Sequence, residues 1–152
     1  MRIRQFTFNP LAENTYVLWD DTRACVIIDP GCYFDDEKQD LQAFITAEGL
    51  KPERLWLTHT HFDHIFGLRF VLDTWGLAPE LHEAELPLLE RAGEVAQMYG
   101  FRLPQPPAPK ALLQPGEPLT FGETTLQVLF TPGHSPGSLC FYDEAGKQLL
   151  AG

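Results

Sequence analysis

Hydrophobic positions in the first thirty residues come in short bursts of β type. Residues 1–8 alternate loosely, residues 14–19 are β-rich and stop at Asp20-Asp21-Thr22, and residues 24–28 form an unbroken apolar run. A run that short, closed by Asp29-Pro30-Gly31, predicts a buried strand. The period then changes. Over residues 35–48, Leu41, Phe44 and Ile45 recur at helical spacing, acids crowd the first turn and Gly49 can cap the end, which predicts a helix. Residues 55–58 read as a short strand. Residues 64–75 read as a second helix, with Ile65, Leu68, Val71 and Leu72 on one face. A brief strand is expected at residues 79–82, and a third helix at 83–99 that tolerates Pro87 only near its first turn.

The pattern breaks after Gly100. Pro104, Pro106, Pro107 and Pro109 make residues 101–118 an extended connection. Four short strands are expected beyond it, at residues 118–121, 125–130, 138–142 and 148–151. Gly122-Glu123 and Asp143-Glu144-Ala145-Gly146 are the turns between them. No repeat of fixed period is present. Strands mixed with helices predict a layered α/β (α+β) fold, and 152 residues predict one domain, residues 1–152.

Composition narrows the partners. Asp plus Glu number 21 against 11 Lys plus Arg, for a net charge of −10. Such a chain repels phosphate backbones, and no basic stripe offsets this, so no nucleic acid is expected. No apolar run approaches the roughly 18 residues a membrane span needs, so no membrane is expected either. No apolar stretch follows Arg2 and Arg4, which argues against a secretory signal. Cys25, Cys32 and Cys140 are odd in number and lack C-x-x-C spacing, which predicts a reduced, cytoplasmic protein without a disulfide framework. Cys25 and Cys140 lie in apolar runs and read as small buried hydrophobes. Cys32, with nothing basic beside it, reads as a packed thiol.

The chemistry concentrates in two places. Three of the five histidines fall in Thr58-His59-Thr60-His61-Phe62-Asp63-His64. In extended chain, residues two apart point the same way, so His59 and His61 present their imidazoles side by side. Asp63 and His64 follow where strand gives way to helix and approach the same point from another side. Nitrogen and oxygen ligands this dense at a strand end suit zinc, with iron or manganese as alternatives. His134 stands in Thr131-Pro132-Gly133-His134-Ser135-Pro136-Gly137, a tight turn after a strand. Alone it reads as a turn residue; beside a cluster lacking a closing ligand, it becomes the candidate third histidine. Three histidines leave a zinc position open for water, whose pKa the ion lowers to about 7, giving a hydroxide that attacks a carbonyl. Asp63 and His64 are candidates for a second ion about 3.5–4 Å away. With one ion only, Asp63 is the candidate catalytic group that orients the water or takes its proton. Asp29, at a strand end before Pro-Gly, either holds a ligand imidazole or caps the turn. His82 reads as structural.

These residues resemble the metallo-β-lactamase superfamily over nearly the whole chain. The resemblance rests on Glu13-Asn14-Thr15-Tyr16, the Ile28-Asp29-Pro30-Gly31 turn, the T-H-T-H-F-D-H string with Gly67, and the turn around His134. The histidine string joined to T-P-G-H-S-P-G-S resembles the glyoxalase II-like branch, the hydroxyacylglutathione hydrolases and their small bacterial relatives. The resemblance implies a four-layer αβ/βα sandwich with metals at the sheet edges. It implies His59, His61 and His134 on a first ion, Asp63 and His64 on a second, and hydrolysis of a thioester such as S-lactoylglutathione. In that family a Gly-Asp pair follows the strand after the His134 turn, and its aspartate bridges both ions. Here Gly152 stands where that glycine would be, and a later histidine of the second site is absent. The expectation is therefore a chain holding the N-terminal and central part of the domain, with its C-terminal end incomplete. An uncovered sheet edge would favour self-association. The alternative functions are a mononuclear iron persulfide dioxygenase of the same fold, and an inactive fragment or metal-binding module. The superfamily's nucleases are disfavoured by the acidic charge.

Overall fold

The computed structural model of the chain describes residues 1–152. Two sheets stack face to face, and three helices cover one of them. The first sheet has the order β1 (Arg2–Phe8), β2 (Glu13–Trp19), β3 (Ala24–Ile28), β4 (Lys51–Trp56), β5 (Glu80–Leu81) and β6 (Ala111–Leu112). The first three strands pair antiparallel; β3 to β6 pair parallel. Parallel neighbours need crossovers, and α1 (Asp35–Ala47), α2 (Leu68–Trp75) and the segment holding the third helix, between β5 and β6, supply them. The second sheet, antiparallel throughout, has the order β10 (Gln148–Ala151), β9 (Leu139–Asp143), β8 (Thr124–Phe130) and β7 (Pro118–Phe121). No helix is long and apolar enough to cross a membrane.

Strand alternation decides which core each side chain joins. In β3, Cys25 and Ile27 face the helices, whereas Val26 and Ile28 face the second sheet. That is why the run is apolar without interruption: it is buried on both sides. The helical core also takes Leu41 and Ile45 from α1, Leu68 and Val71 from α2, and Leu89 and Ala92 from α3 (Leu86–Met98). The core between the sheets is built around Trp56, whose ring lies 6.0 Å from Phe121 and 5.4 Å from Phe141.

Three layers are thus formed: helices, mixed sheet, antiparallel sheet. The outer face of the second sheet carries no helix, so of the four expected layers these residues build three. Leu129 and Leu149 stand exposed there, and β10 is an edge strand.

Several boundaries differ from the sequence reading. The second helix begins at Leu68 rather than 64, because Phe62–His64 forms a separate turn of 3₁₀ helix and Gly67 sits at the start of α2. Gly67 comes so close to residues 30–32 that its N–H donates to the Pro30 carbonyl at 2.7 Å, leaving no room for a Cβ beside Cys32. The strand expected at 55–58 starts four residues earlier, since β4 pairs along β3 around an irregularity at Cys25/Val26. The proline-rich connection contains β6, two residues long, recruited by pairing with β5.

Candidate metal centre

The site forms where strands of both sheets end. From β4 the chain runs on through residues 57–64, and from β8 through residues 131–137. A backbone bond joins the two sheets here, the Leu139 N–H donating to the Thr58 carbonyl at 2.9 Å. Open α/β sheets commonly place their sites outside the carboxyl ends of parallel strands. Asp29, just past β3, and the histidine string, just past β4, obey that rule.

His59, His61 and His134 converge. One ligand atom from each lies within 4.8 Å of the others. The His61 and His134 rings approach with Nδ1 to Nε2 at 3.0 Å, and His59 lies edge-on to both, with ring centroids 4.7 and 4.9 Å away. His59 is buried and its Nε2 has no hydrogen-bond partner. An orphaned buried nitrogen costs free energy unless something accepts its lone pair.

The proton on His59 is placed by its neighbours. Asp29 Oδ1 accepts from the Thr58 N–H at 2.7 Å, and Asp29 Oδ2 accepts from the Thr58 hydroxyl at 2.5 Å. With its one proton so committed, the Thr58 hydroxyl serves as acceptor for His59 Nδ1–H at 2.9 Å. Nε2 is left with its lone pair, aimed into the site. Burial, together with the His64, His61 and His134 rings, pushes the His59 pKa down to about 4. Burial and His134 likewise lower that of His61. Three converging imidazoles, one with a buried, unpartnered lone pair, are the donor set a divalent cation takes, and the residues present fit one.

A second trio, Asp29, His59 and His64, shares a 4.8 Å neighbourhood. Asp63 belongs to neither trio. Its Oδ2 instead stands 3.6 Å from His64 Nε2, while His64 Nδ1–H donates to Asp29 Oδ2 at 3.0 Å. Burial works to lower the His64 pKa, but the Asp29 hydrogen bond and charge, helped by Asp63, outweigh it and hold the pKa above the ordinary value. Asp29 therefore does more than end a strand: it holds the ring of His64 directly and that of His59 through Thr58. His82 has a structural role. Its Nδ1 accepts from the Ala84 N–H at 3.3 Å, and its ring stacks on Phe130 at 4.7 Å.

Two residues around the site were given no role by sequence reasoning, although Glu13 belongs to the motif Glu13-Asn14-Thr15-Tyr16. Glu85, fully buried at the turn before α3, binds both histidine loops at once. One carboxylate oxygen accepts from the Thr60 N–H and hydroxyl, both at 2.8 Å; the other accepts from the Gly137 N–H at 2.7 Å and from the Ser135 hydroxyl. Burial works to raise its pKa, but the Ser135, Thr60 and Gly137 donors outweigh it and hold the carboxyl below its ordinary range. No local pattern marks Glu85, since its partners lie 25 to 52 residues away. The other is Glu13. It is buried with one oxygen unpartnered and another accepting from Thr15, and burial, reinforced by Asp29, pushes its pKa up to about 10. A carboxyl buried this way keeps its proton at neutral pH.

Comparison with known proteins agrees with this geometry. Residues 8–152 match the Metallo-beta-lactamase superfamily model. A hydroxyacylglutathione hydrolase, GloC, of Haemophilus influenzae is 30% identical over the whole chain, which spans 71% of that protein. Among solved structures, the BLEG-1 B3 metallo-β-lactamase superposes with a TM-score of 0.86 at 34% identity, over 99% of this chain and 71% of that one. TTHA1623 in a di-iron-bound form superposes with a TM-score of 0.84 at 38% identity, over 97% and 70%. With three histidines gathered from two loops, on a fold shared with these proteins, the chain belongs to the metallo-β-lactamase superfamily.

Proposed function

We propose that the chain is a thioester hydrolase working with zinc, in which water attacks the thioester carbonyl. The observation that carries this reading is the convergence of His59, His61 and His134 around a buried, unpartnered Nε2. A cation bound there supplies Lewis acidity, polarising the carbonyl oxygen and making water acidic enough to react at neutral pH. The chain's own residues do the rest. Asp29 and Thr58 fix the tautomer of His59, and a pKa near 4 keeps its ring neutral at working pH. Asp63 lines the cavity beside His61 and His134. With one ion bound, its carboxylate orients the water and takes its proton; with two, it becomes a ligand instead. His64, held by Asp29, turns Nε2 toward Asp63, so the pair offers ligand atoms for a second ion.

The thioester assignment draws support from the T-P-G-H-S-P-G-S turn and from the likeness to the Haemophilus influenzae hydroxyacylglutathione hydrolase. Iron is the alternative ion, because TTHA1623 is a di-iron-bound structure. Three free, buried cysteines support residence in the reducing cytoplasm. The free edge of β10, beside exposed Leu149, supports pairing of two copies; light scattering that gives a clean monomer removes that part of the reading.

The test is hydrolysis of S-lactoylglutathione by zinc-loaded protein, with metal content measured alongside. Zinc-dependent turnover that His61→Ala abolishes is the expected result. A rate unchanged by His61→Ala refutes the proposal. One iron per chain with oxidation of a persulfide replaces it with the dioxygenase, and turnover of β-lactams alone replaces it with a lactamase.

A further inference from the structure

A cavity of about 640 Å³ opens beside the histidines, with Thr60, His61, Asp63 and His134 in its lining. Its lining also takes one stripe of α3 and its cap: Leu88, Ala92, Val95 and Tyr99 lie four, three and four residues apart, the spacing of a single helical face. Leu11, from the β1–β2 hairpin, and Phe62 extend the carbon surface. From Leu88 to Val95 the stripe runs about 10 Å along the helix axis. Leu88 and Val95 are half-buried and Tyr99 is exposed, so their apolar surface faces the cavity rather than a packed core. The one cation in the lining, Arg91, is exposed and stands 3.7 Å from a Glu94 oxygen. With Asp63 also in the lining and a net charge of −10, this single exposed arginine is the only cationic side chain that offsets the repulsion of a strongly anionic arm.

Resting on the thioester reading above, we infer that the cavity takes an uncharged, apolar arm of the thioester, laid along α3 with the carbonyl at the histidines. The acyl side and the thiol side of a thioester are both able to carry such an arm. Two substrate series separate them, one lengthening the acyl group on a fixed small thiol, the other lengthening the thiol on a fixed acetyl group.

Both series are assayed with zinc-loaded protein. Matching thioethers, which cannot be hydrolysed, are titrated calorimetrically into zinc-free protein. In one series kcat/KM rises about two- to fourfold per methylene added, thioether affinity rises in step, and Val95→Asp flattens both slopes. Flat rates and flat affinities in both series overturn the inference, and so does a preference for arms bearing a carboxylate. Should Val95→Asp fail to fold, the slopes on the parent protein decide alone. Thioether binding that tightens with chain length, with no thioester hydrolysed, upholds the apolar cavity and removes the thioester reading instead.

Discussion

Glu85 offers the sharpest test of how the two histidine loops are held together. Its carboxylate accepts four hydrogen bonds, two from backbone N–H groups that cannot turn elsewhere and two from hydroxyls that can. Glu85→Ala leaves the Thr60 and Gly137 N–H groups facing a void. At about 1–3 kcal/mol for each buried donor left unmade, the cost is about 4 kcal/mol, a large fraction of a typical domain's 5–15 kcal/mol. Glu85→Gln keeps the shape and one oxygen, but its NH₂ end meets a backbone N–H with another N–H. One backbone bond is lost and the rest lose their charge assistance, for about 2 kcal/mol. Urea unfolding of metal-free protein measures both values. Because Thr60 and Ser135 adjoin the histidines, zinc affinity falls as well, by about 10- to 100-fold, the usual effect of removing a partner that orients the ligand groups. A competition titration with a chromophoric chelator reads this separately from stability. The pH dependence has a fixed sign. The native carboxyl titrates below its ordinary range, so the unfolded chain binds the proton first as pH falls. Glu85's contribution is therefore present above the ordinary carboxylate range and is lost as pH drops through the depressed native value. In Glu85→Gln that component of the acid sensitivity disappears. If both variants stay within about 0.5 kcal/mol of the parent, the level expected of an ordinary surface change, or if they cost the same, the reasoning fails.

Three further predictions follow from packing and charge. Gly67→Ala brings a Cβ within 2.8 Å of the Pro30 carbonyl oxygen and into the Cys32 sulfur; a loss of about 1–3 kcal/mol is expected, read as a drop of several degrees in Tm. Arg54 donates to both oxygens of buried Glu80, at 2.6 and 2.5 Å, so Arg54→Ala strands that carboxylate and costs about 3 kcal/mol in urea unfolding, whereas Arg54→Met with Glu80→Leu recovers most of it. All three cysteines are buried, and burial pushes the Cys25 and Cys32 thiols up to about 12; a thiol-reactive dye is expected to label them only after denaturation, and fast labelling of native protein contradicts this burial.

Much of the fold was legible because it is local. The spans of β3, β7 and β10 match the expected residues, since each is a short apolar or alternating run between strong turn signals. Helix α1 is marked by acids at its start and Gly49 beyond its end, where the backbone takes the left-handed conformation that glycine accepts readily. What stayed hidden depends on distant partners. β6 is a strand only because β5 lies beside it. The early start of β4 follows from its register on β3, and the 3₁₀ turn before α2 from the close approach of Gly67 to Pro30. At the site, the histidines were readable from spacing and from the Pro-Gly turn. Asp29 was legible as one of two alternatives, holding an imidazole or capping a turn, whereas the relay through Thr58, the burial of Glu13 and the whole role of Glu85 were not. A buried carboxylate looks like any surface acid until the fold shows what surrounds it.

The histidines come from different halves of the sandwich, His59 and His61 from the mixed sheet and His134 from the antiparallel one. An ion gripping all three would be a further rivet between plates already joined by the carbon layer around Trp56, the Leu139–Thr58 backbone bond and the Glu85 carboxylate. Holding the plates together and holding the ion are then thermodynamically linked: whatever loosens the seam weakens the grip, and occupancy of the grip tightens the seam in return.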